Sequence, residues 1–150
     1  TSYGTAGSNM AALAALNGGA GINLGTSRTA AAICSGGEFN CAILDNATVK
    51  CWGRNQSGQL GQGDMNSLGD NGAEMGDNLA TVDLGTGRTA ISIACGKEHA
   101  CARLDNWTTK CWGRNTEGQL GQENTVNRGD DNLTSTPDHR MGDNLPILSL

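Results

Sequence analysis

The chain repeats itself at a fixed interval, and nothing else in the sequence restricts its fold so tightly. Shifted by 60 residues, Leu24–Gln62 lies over Leu84–Gln122 without a gap, and 26 of the 39 positions are identical. Leu-Gly-Thr at 24–26 recurs at 84–86, Cys-Trp-Gly-Arg-Asn at 51–55 recurs at 111–115, and Gly-Gln-Leu-Gly-Gln at 58–62 recurs at 118–122. A partial copy follows, since MGDNLPILSL at 141–150 resembles MGDNLATVDL at 75–84. Units of this length are single supersecondary elements that bury their apolar face only by stacking on neighbours. The predicted organisation is a Gly/Ala-rich segment over 1–20, a first repeat over 21–80, a second over 81–140, and the first strand of a third over 141–150.

Composition agrees with thin layers rather than one large core. Glycine supplies 23 of 150 residues, while Leu, Ile, Val and Phe together supply 24, a content at which many chains fail to fold. The net charge of −5 is too small to meet the second criterion for disorder. Fifteen scattered acids against ten bases also argue against a nucleic-acid-binding surface. The longest apolar run, Met10–Leu16, falls far short of the roughly 20 residues that span a bilayer. A start at Thr1 rather than Met fits a processed or partial product.

Within a unit the periodicity is that of strands. Ala42 and Leu44 alternate with Ile43, and Ala102 and Leu104 alternate with Arg103. Asp45-Asn46-Ala47-Thr48 and Asp105-Asn106-Trp107-Thr108 have hairpin-turn composition, because Asn and Asp tolerate positive φ and bond their own backbone. Cys-Trp-Gly is then the returning strand, and the Gly-Gln-Leu-Gly and Gly-Asp-Asn clusters are connecting loops. The predicted class is all-β, made of short antiparallel strands. Trp52 and Trp112 are expected to plug one thin layer each, and Phe39 and its counterpart His99 to pack rather than catalyse.

Six cysteines sit at repeated spacing. Cys41 and Cys51 flank a hairpin centred on Asn46, and Cys101 and Cys111 repeat this around Asn106, so each pair is directly opposed and within disulfide reach. The remaining Cys34 and Cys95 differ by one position in the repeat alignment and are expected to link adjacent units. Zinc competes poorly, with no Cys-x-x-Cys and only His99 and His139 as further ligands. Disulfides imply an oxidising compartment, extracellular or at a cell surface. Asn-x-Ser/Thr sequons occur at Asn46, Asn55, Asn106 and Asn132. Asn46 and Asn106 share the same hairpin tip and are the expected glycan carriers; the counterpart of Asn55, Asn115, lacks the acceptor pattern.

The glycine pair before an aromatic or His (Gly36-Gly37-Glu38-Phe39, with Gly96-Lys97-Glu98-His99), then a hairpin, Trp-Gly-Arg-Asn at 52–55 and 112–115, and Gly-Gln-Leu-Gly at 58–61 and 118–121 resemble the repeat of the regulator of chromosome condensation family. The resemblance covers about 40 residues of each unit and leaves 1–20, 63–74 and 123–140 poorly matched. It implies a β-propeller of about seven four-stranded blades. Two and a half such blades stay open unless further repeats or other chains complete them. Leu145, Pro146, Ile147, Leu148 and Leu150 begin a unit whose other strands are missing, and strand addition to a neighbouring chain is the expected use.

No catalytic motif, nucleotide-binding loop or metal signature is present, and no cofactor is implied. The Gly-Asp-Asn loops offer clustered oxygens to Ca²⁺, but none has an EF-hand register, and solvated turns are the favoured reading. The expected function is therefore a non-enzymatic extracellular structural repeat protein. Its expected partners are copies of itself or further repeats, with N-linked glycans, no nucleic acid and no membrane span. An extracellular ligand- or receptor-binding propeller is the alternative, and a nuclear guanine-nucleotide exchange factor, which the resemblance also brings in, is disfavoured by the acidity, cysteines and sequons.

Overall fold

A computed structural model describes residues 21–130 and 140–148. The fold is all-β: two open antiparallel sheets, one per repeat, packed one on the other like blades. Blade 1 is formed by β1 (Ala30–Ser35), β2 (Phe39–Leu44) and β3 (Val49–Gly53). Blade 2 is formed by β4 (Ala90–Cys95), β5 (His99–Leu104), β6 (Thr109–Gly113) and β7 (Ile147–Leu148), hydrogen-bonded in that order. The Gly-Asp-Asn clusters at Gly76–Asn78 and Gly142–Asn144 are single 3-10 turns. Among the described residues no helix is long and apolar enough to cross a membrane.

The hairpin tips depart from the expectation in one respect. Residues Asp45–Thr48 form the predicted turn, but Ala47 (φ 63°), not Asn46, takes the left-handed conformation, and Trp107 (φ 67°) does so in the second copy. The amide of Ala47 donates to the Leu44 carbonyl at 2.9 Å and Leu44 donates to Thr48 at 2.8 Å, a type I turn closed by a bulge. Asn46 stays outside that strained position. Its Oδ1 accepts from the Thr48 hydroxyl at 2.7 Å, with Asn106 and Thr108 in the same arrangement.

The closing segment overturns the strand-donation reading. Thr109 pairs with Leu148 and Lys110 with Ile147, so β7 is the fourth strand of blade 2 within the same chain. Val82, its counterpart, donates to the Val49 carbonyl of blade 1 at 2.8 Å. Leu145 is buried in the common core. Each Gly-Asp-Asn turn therefore leads into a segment that runs along the last strand of the preceding blade, as the strand β7 in blade 2 and through the Val82–Val49 bond in blade 1, and 147–148 is paired inside the chain. Leu150 lies outside the described residues, as do Asn132, His139 and segment 1–20.

Because side chains alternate across a strand, each blade has two faces. Phe39, Cys41 and Ile43 of β2, with Val49 and Cys51 of β3, form one face of blade 1. They share a core with Ala90, Ala100, Ala102, Leu104 and Trp112, which lie on the opposite face of blade 2. The two blades thus stack front to back. The other face of blade 1 carries a smaller cluster of Ala42, Leu44 and Leu24, with Trp52 and Ala30 half-buried beside it.

Candidate functional site

Among the described residues the most elaborate constellation is the junction between the blades. Trp112 is completely buried there, and its indole Nε1 donates across the junction to the Gln59 carbonyl at 3.0 Å. Gln59 belongs to the Gly-Gln-Leu-Gly loop of the first unit. Gly61 in that loop has φ +64°, and a Cβ there would lie 2.9 Å from the Trp112 nitrogen, so glycine is required both by the turn and by the indole. Asn55 holds the loop from inside: its Oδ1 accepts from Leu60 N at 2.9 Å, while its Nδ2 donates to the Asp64 carbonyl at 2.9 Å.

Backbone bonds cross the junction at both ends of the strands: the Gly37 amide, ahead of β2, donates to the Lys97 carbonyl at 2.8 Å, and Ala90 N donates to Ala47 O, in the turn after β2, at 3.0 Å. A disulfide joins Cys34 to Cys95, with a Cα separation of 5.5 Å. Cys41–Cys51 and Cys101–Cys111 are also joined, each as a directly opposed pair in its hairpin. The one-position offset between Cys34 and Cys95 has a physical meaning. Cys34 pairs with Cys41 and shares its face, whereas Cys95 pairs with Ala100 and so points to the other side of its own sheet. Front-to-back stacking turns those two faces toward each other.

Polar ties run beside the apolar ones. Lys110 is buried, and its Nζ donates to the carbonyls of Leu84 (3.1 Å) and Gly142 (2.7 Å); Lys50 does the same with Leu24 and Gly76. Burial pulls the Lys110 ammonium below the usual lysine range. Asp143 accepts from the Thr86 hydroxyl at 2.6 Å and from its amide at 2.8 Å, which holds the carboxyl below the usual aspartate range. Asp77 and Thr26 repeat this pair, so the Gly-Asp-Asn carboxylates are already committed to the fold. Glu98 accepts from Arg114 Nη1 at 2.5 Å, and Glu38 accepts from Arg54.

The two outward faces are not equal copies of the junction. On blade 2, Ser92, Ala94, His99, Arg103 and Thr109 stand where blade 1 has Ala32, Cys34, Phe39, Ile43 and Val49. The apolar side that blade 1 buries is polar where blade 2 exposes it. Arg103 lies over the ring of Trp107, which is 70% exposed, at 5.1 Å from the ring centroid. On blade 1 the outward face keeps Trp52 but has Ser35 and Asn40, hydrogen-bonded at 2.7 Å, where blade 2 has Cys95 and Ala100.

These positions sort the sequence-predicted sites. Trp112 fills the junction, but Trp52 is only half-buried, because no described element covers its side of blade 1. Asn46 and Asn106 are exposed at their tips. Asn55 is wholly buried with its amide engaged, and a glycan has no room there, which corrects the sequon reading at that position. The sulfurs of Cys34, Cys41 and Cys95 come within 4.8 Å of one another, the spacing of a metal set, but each is in a disulfide and has no thiolate to offer. The acceptor role of the Gln59 carbonyl escaped the sequence, since it depends on a backbone atom.

His99 gives a measurable consequence. Its ring lies over Gly96 as Phe39 lies over Gly36, and burial lowers its pKa. The folded form therefore binds this proton less readily than the unfolded chain, so its contribution is whole at neutral pH and is lost as acid charges the imidazole. His99→Phe should lose less of its thermal midpoint than the parent between pH 7.5 and 5. Parallel melting curves at both pH values would show the ring to be uncoupled from folding.

The fold defines a class of tandem-repeat β proteins built from propeller-type blades. The family model of the Regulator of chromosome condensation (RCC1) repeat matches residues 30–59 and 90–119, one stretch in each blade. The chain is 37% identical over 83 residues to the Protein RCC2 homolog of Danio rerio, covering 55% of this chain and 15% of that protein. It is 30% identical over 94 residues to the Ultraviolet-B receptor UVR8 of Arabidopsis thaliana, covering 62% of this chain and 20% of that protein. Human WBSCR16 superposes with a TM-score of 0.53 at 17% identity, covering 68% of this chain and 25% of that one, a likeness of fold. The chain thus spans a fifth or less of the curated relatives it matches here.

Proposed function

We propose that the chain is a non-enzymatic structural repeat module of an oxidising compartment, and that its two-blade unit is extended by further blades of its own kind. The observation that carries the reading is that both halves of the junction recur on the outer surface. Trp52 occupies on blade 1 the place Trp112 occupies on blade 2, half-covered instead of buried. Gly118 and Gln119 offer on the second loop what Gly58 and Gln59 offer on the first, but more openly; a Cβ on Gly118 meets nothing within 4 Å. A following blade would set its tryptophan against Gln119, and a preceding one would receive Trp52. Such a heterologous contact closes into a ring or runs on as a filament. Three disulfides fit an extracellular or surface location, and the exposed Asn46 and Asn106 are the places for glycans.

The test is assembly. Electron microscopy of native material should show rings or filaments, and light scattering of the 150-residue chain should show concentration-dependent association that Trp52→Glu abolishes while circular dichroism stays unchanged. Particles of two-blade mass in both preparations, indifferent to Trp52→Glu, would overturn the reading.

A further inference from the structure

We propose that the four sulfurs at the junction form a thiol–disulfide exchange site for a dithiol reductant, through which the bond between the blades is released while blade 1 remains cross-linked. Cys41 is the branch point. It lies directly opposite Cys51 on β3 and directly opposite Cys34 on β1, and all three side chains share one face. Cys41 and Cys51 have Cα atoms 4.1 Å apart, the spacing of a non-hydrogen-bonded antiparallel pair. The backbone of Cys41 therefore bonds toward β1, which makes Cys34 and Cys41 a hydrogen-bonded pair with Cα atoms about 5.5 Å apart, inside disulfide range. The sulfurs of Cys34, Cys41 and Cys95 are already within 4.8 Å of one another. Cys34 and Cys95 are partly exposed, whereas Cys41 and Cys51 are buried, so an outside thiol meets the bond between the blades first.

The chemistry balances in two steps. A dithiol reduces Cys34–Cys95, giving two protein thiols and the cyclic disulfide of the reductant. The Cys34 thiolate then attacks Cys41 Sγ, the Cys41–Cys51 bond breaks, Cys34–Cys41 forms, and Cys51 leaves as a thiolate that takes up the proton Cys34 gave. The second step involves no net oxidation. It leaves β1 and β2 cross-linked, Cys51 and Cys95 free, and the junction held without a covalent bond between blades. The second hairpin lacks this route, because Cys101 faces Ala94 rather than a cysteine. Cys101–Cys111 is therefore an internal control.

The whole chain is treated with limiting dithiothreitol, quenched in acid, alkylated and digested with trypsin and a Glu-specific protease, which separate Cys34, Cys41, Cys51 and Cys95 onto different peptides. The expected result is a peptide pair joined through Cys34 and Cys41, with Cys51 alkylated at least tenfold more than Cys111. In the double variant Cys34→Ala/Cys95→Ala, Cys51 alkylation should fall to the level of Cys111. Release of Cys34 and Cys95 with Cys41–Cys51 intact at every dose would overturn the proposal, as would equal opening of the two hairpin disulfides.

Discussion

Replacing Trp112 by alanine is expected to cost about 3–5 kcal/mol, the range for truncating a large buried aromatic. A domain of this size rests on a margin of about 5–15 kcal/mol, so much of the stability goes with one side chain. Two losses combine. The indole leaves a cavity beside Ala100, its cross-strand partner, in a core that also holds Ala90 and Ala102, and alanine side chains have no reach to close it. The Gln59 carbonyl also loses its donor while still buried, a penalty of about 1–3 kcal/mol that Trp112→Phe isolates by retaining most of the volume. Trp52→Ala removes the same side chain from a half-covered place and should cost less than half as much. Urea denaturation followed by circular dichroism checks all three variants. Equal shifts for Trp52→Ala and Trp112→Ala would show that the junction is not what holds the blades.

Much of this was legible in the sequence, and the reasons are specific. The blade is written twice, so its strands, its hairpin centred on Asn46 and Asn106, and its opposed cysteines follow from spacing alone. What the repeat hides is the difference between two identical neighbourhoods. Trp52 and Trp112 read alike, and only stacking order decides that one is buried. The same order explains the substitutions between copies. Phe39 to His99, Ile43 to Arg103 and Val49 to Thr109 resemble ordinary drift until β2 and β5 show that all three share the face that is covered in blade 1 and open in blade 2. At 145–148 a partial copy of the repeat suggests a new unit. Its hydrogen bonds instead complete the old one, since the blade boundary and the repeat boundary differ by one strand.

Removing the disulfide between the blades should be the costliest cysteine change. In the chain-entropy account, a loop closed by a disulfide restrains the unfolded chain more as it lengthens. The bond Cys34–Cys95 spans 61 residues and Cys41–Cys51 spans 10. The corresponding contributions are about 4 and about 3 kcal/mol at 25 °C. The smaller loop is nested in the larger, but closing it shortens the larger by too little to alter the ranking, because the dependence is logarithmic. Position reinforces the length argument. Cys41–Cys51 staples two strands that ladder hydrogen bonds already hold, whereas Cys34–Cys95 ties two sheets whose strands do not pair with each other. The double variant Cys34→Ala/Cys95→Ala should therefore lose about 4 kcal/mol. It should also uncouple the blades, with hydrogen exchange in β1–β3 no longer matching that in β4–β6. Cys101→Ala/Cys111→Ala should lose less and keep the blades unfolding together. A Cys34→Ala/Cys95→Ala protein within about 1 kcal/mol of the parent would mean that the apolar core and the Trp112–Gln59 bond suffice to couple the blades.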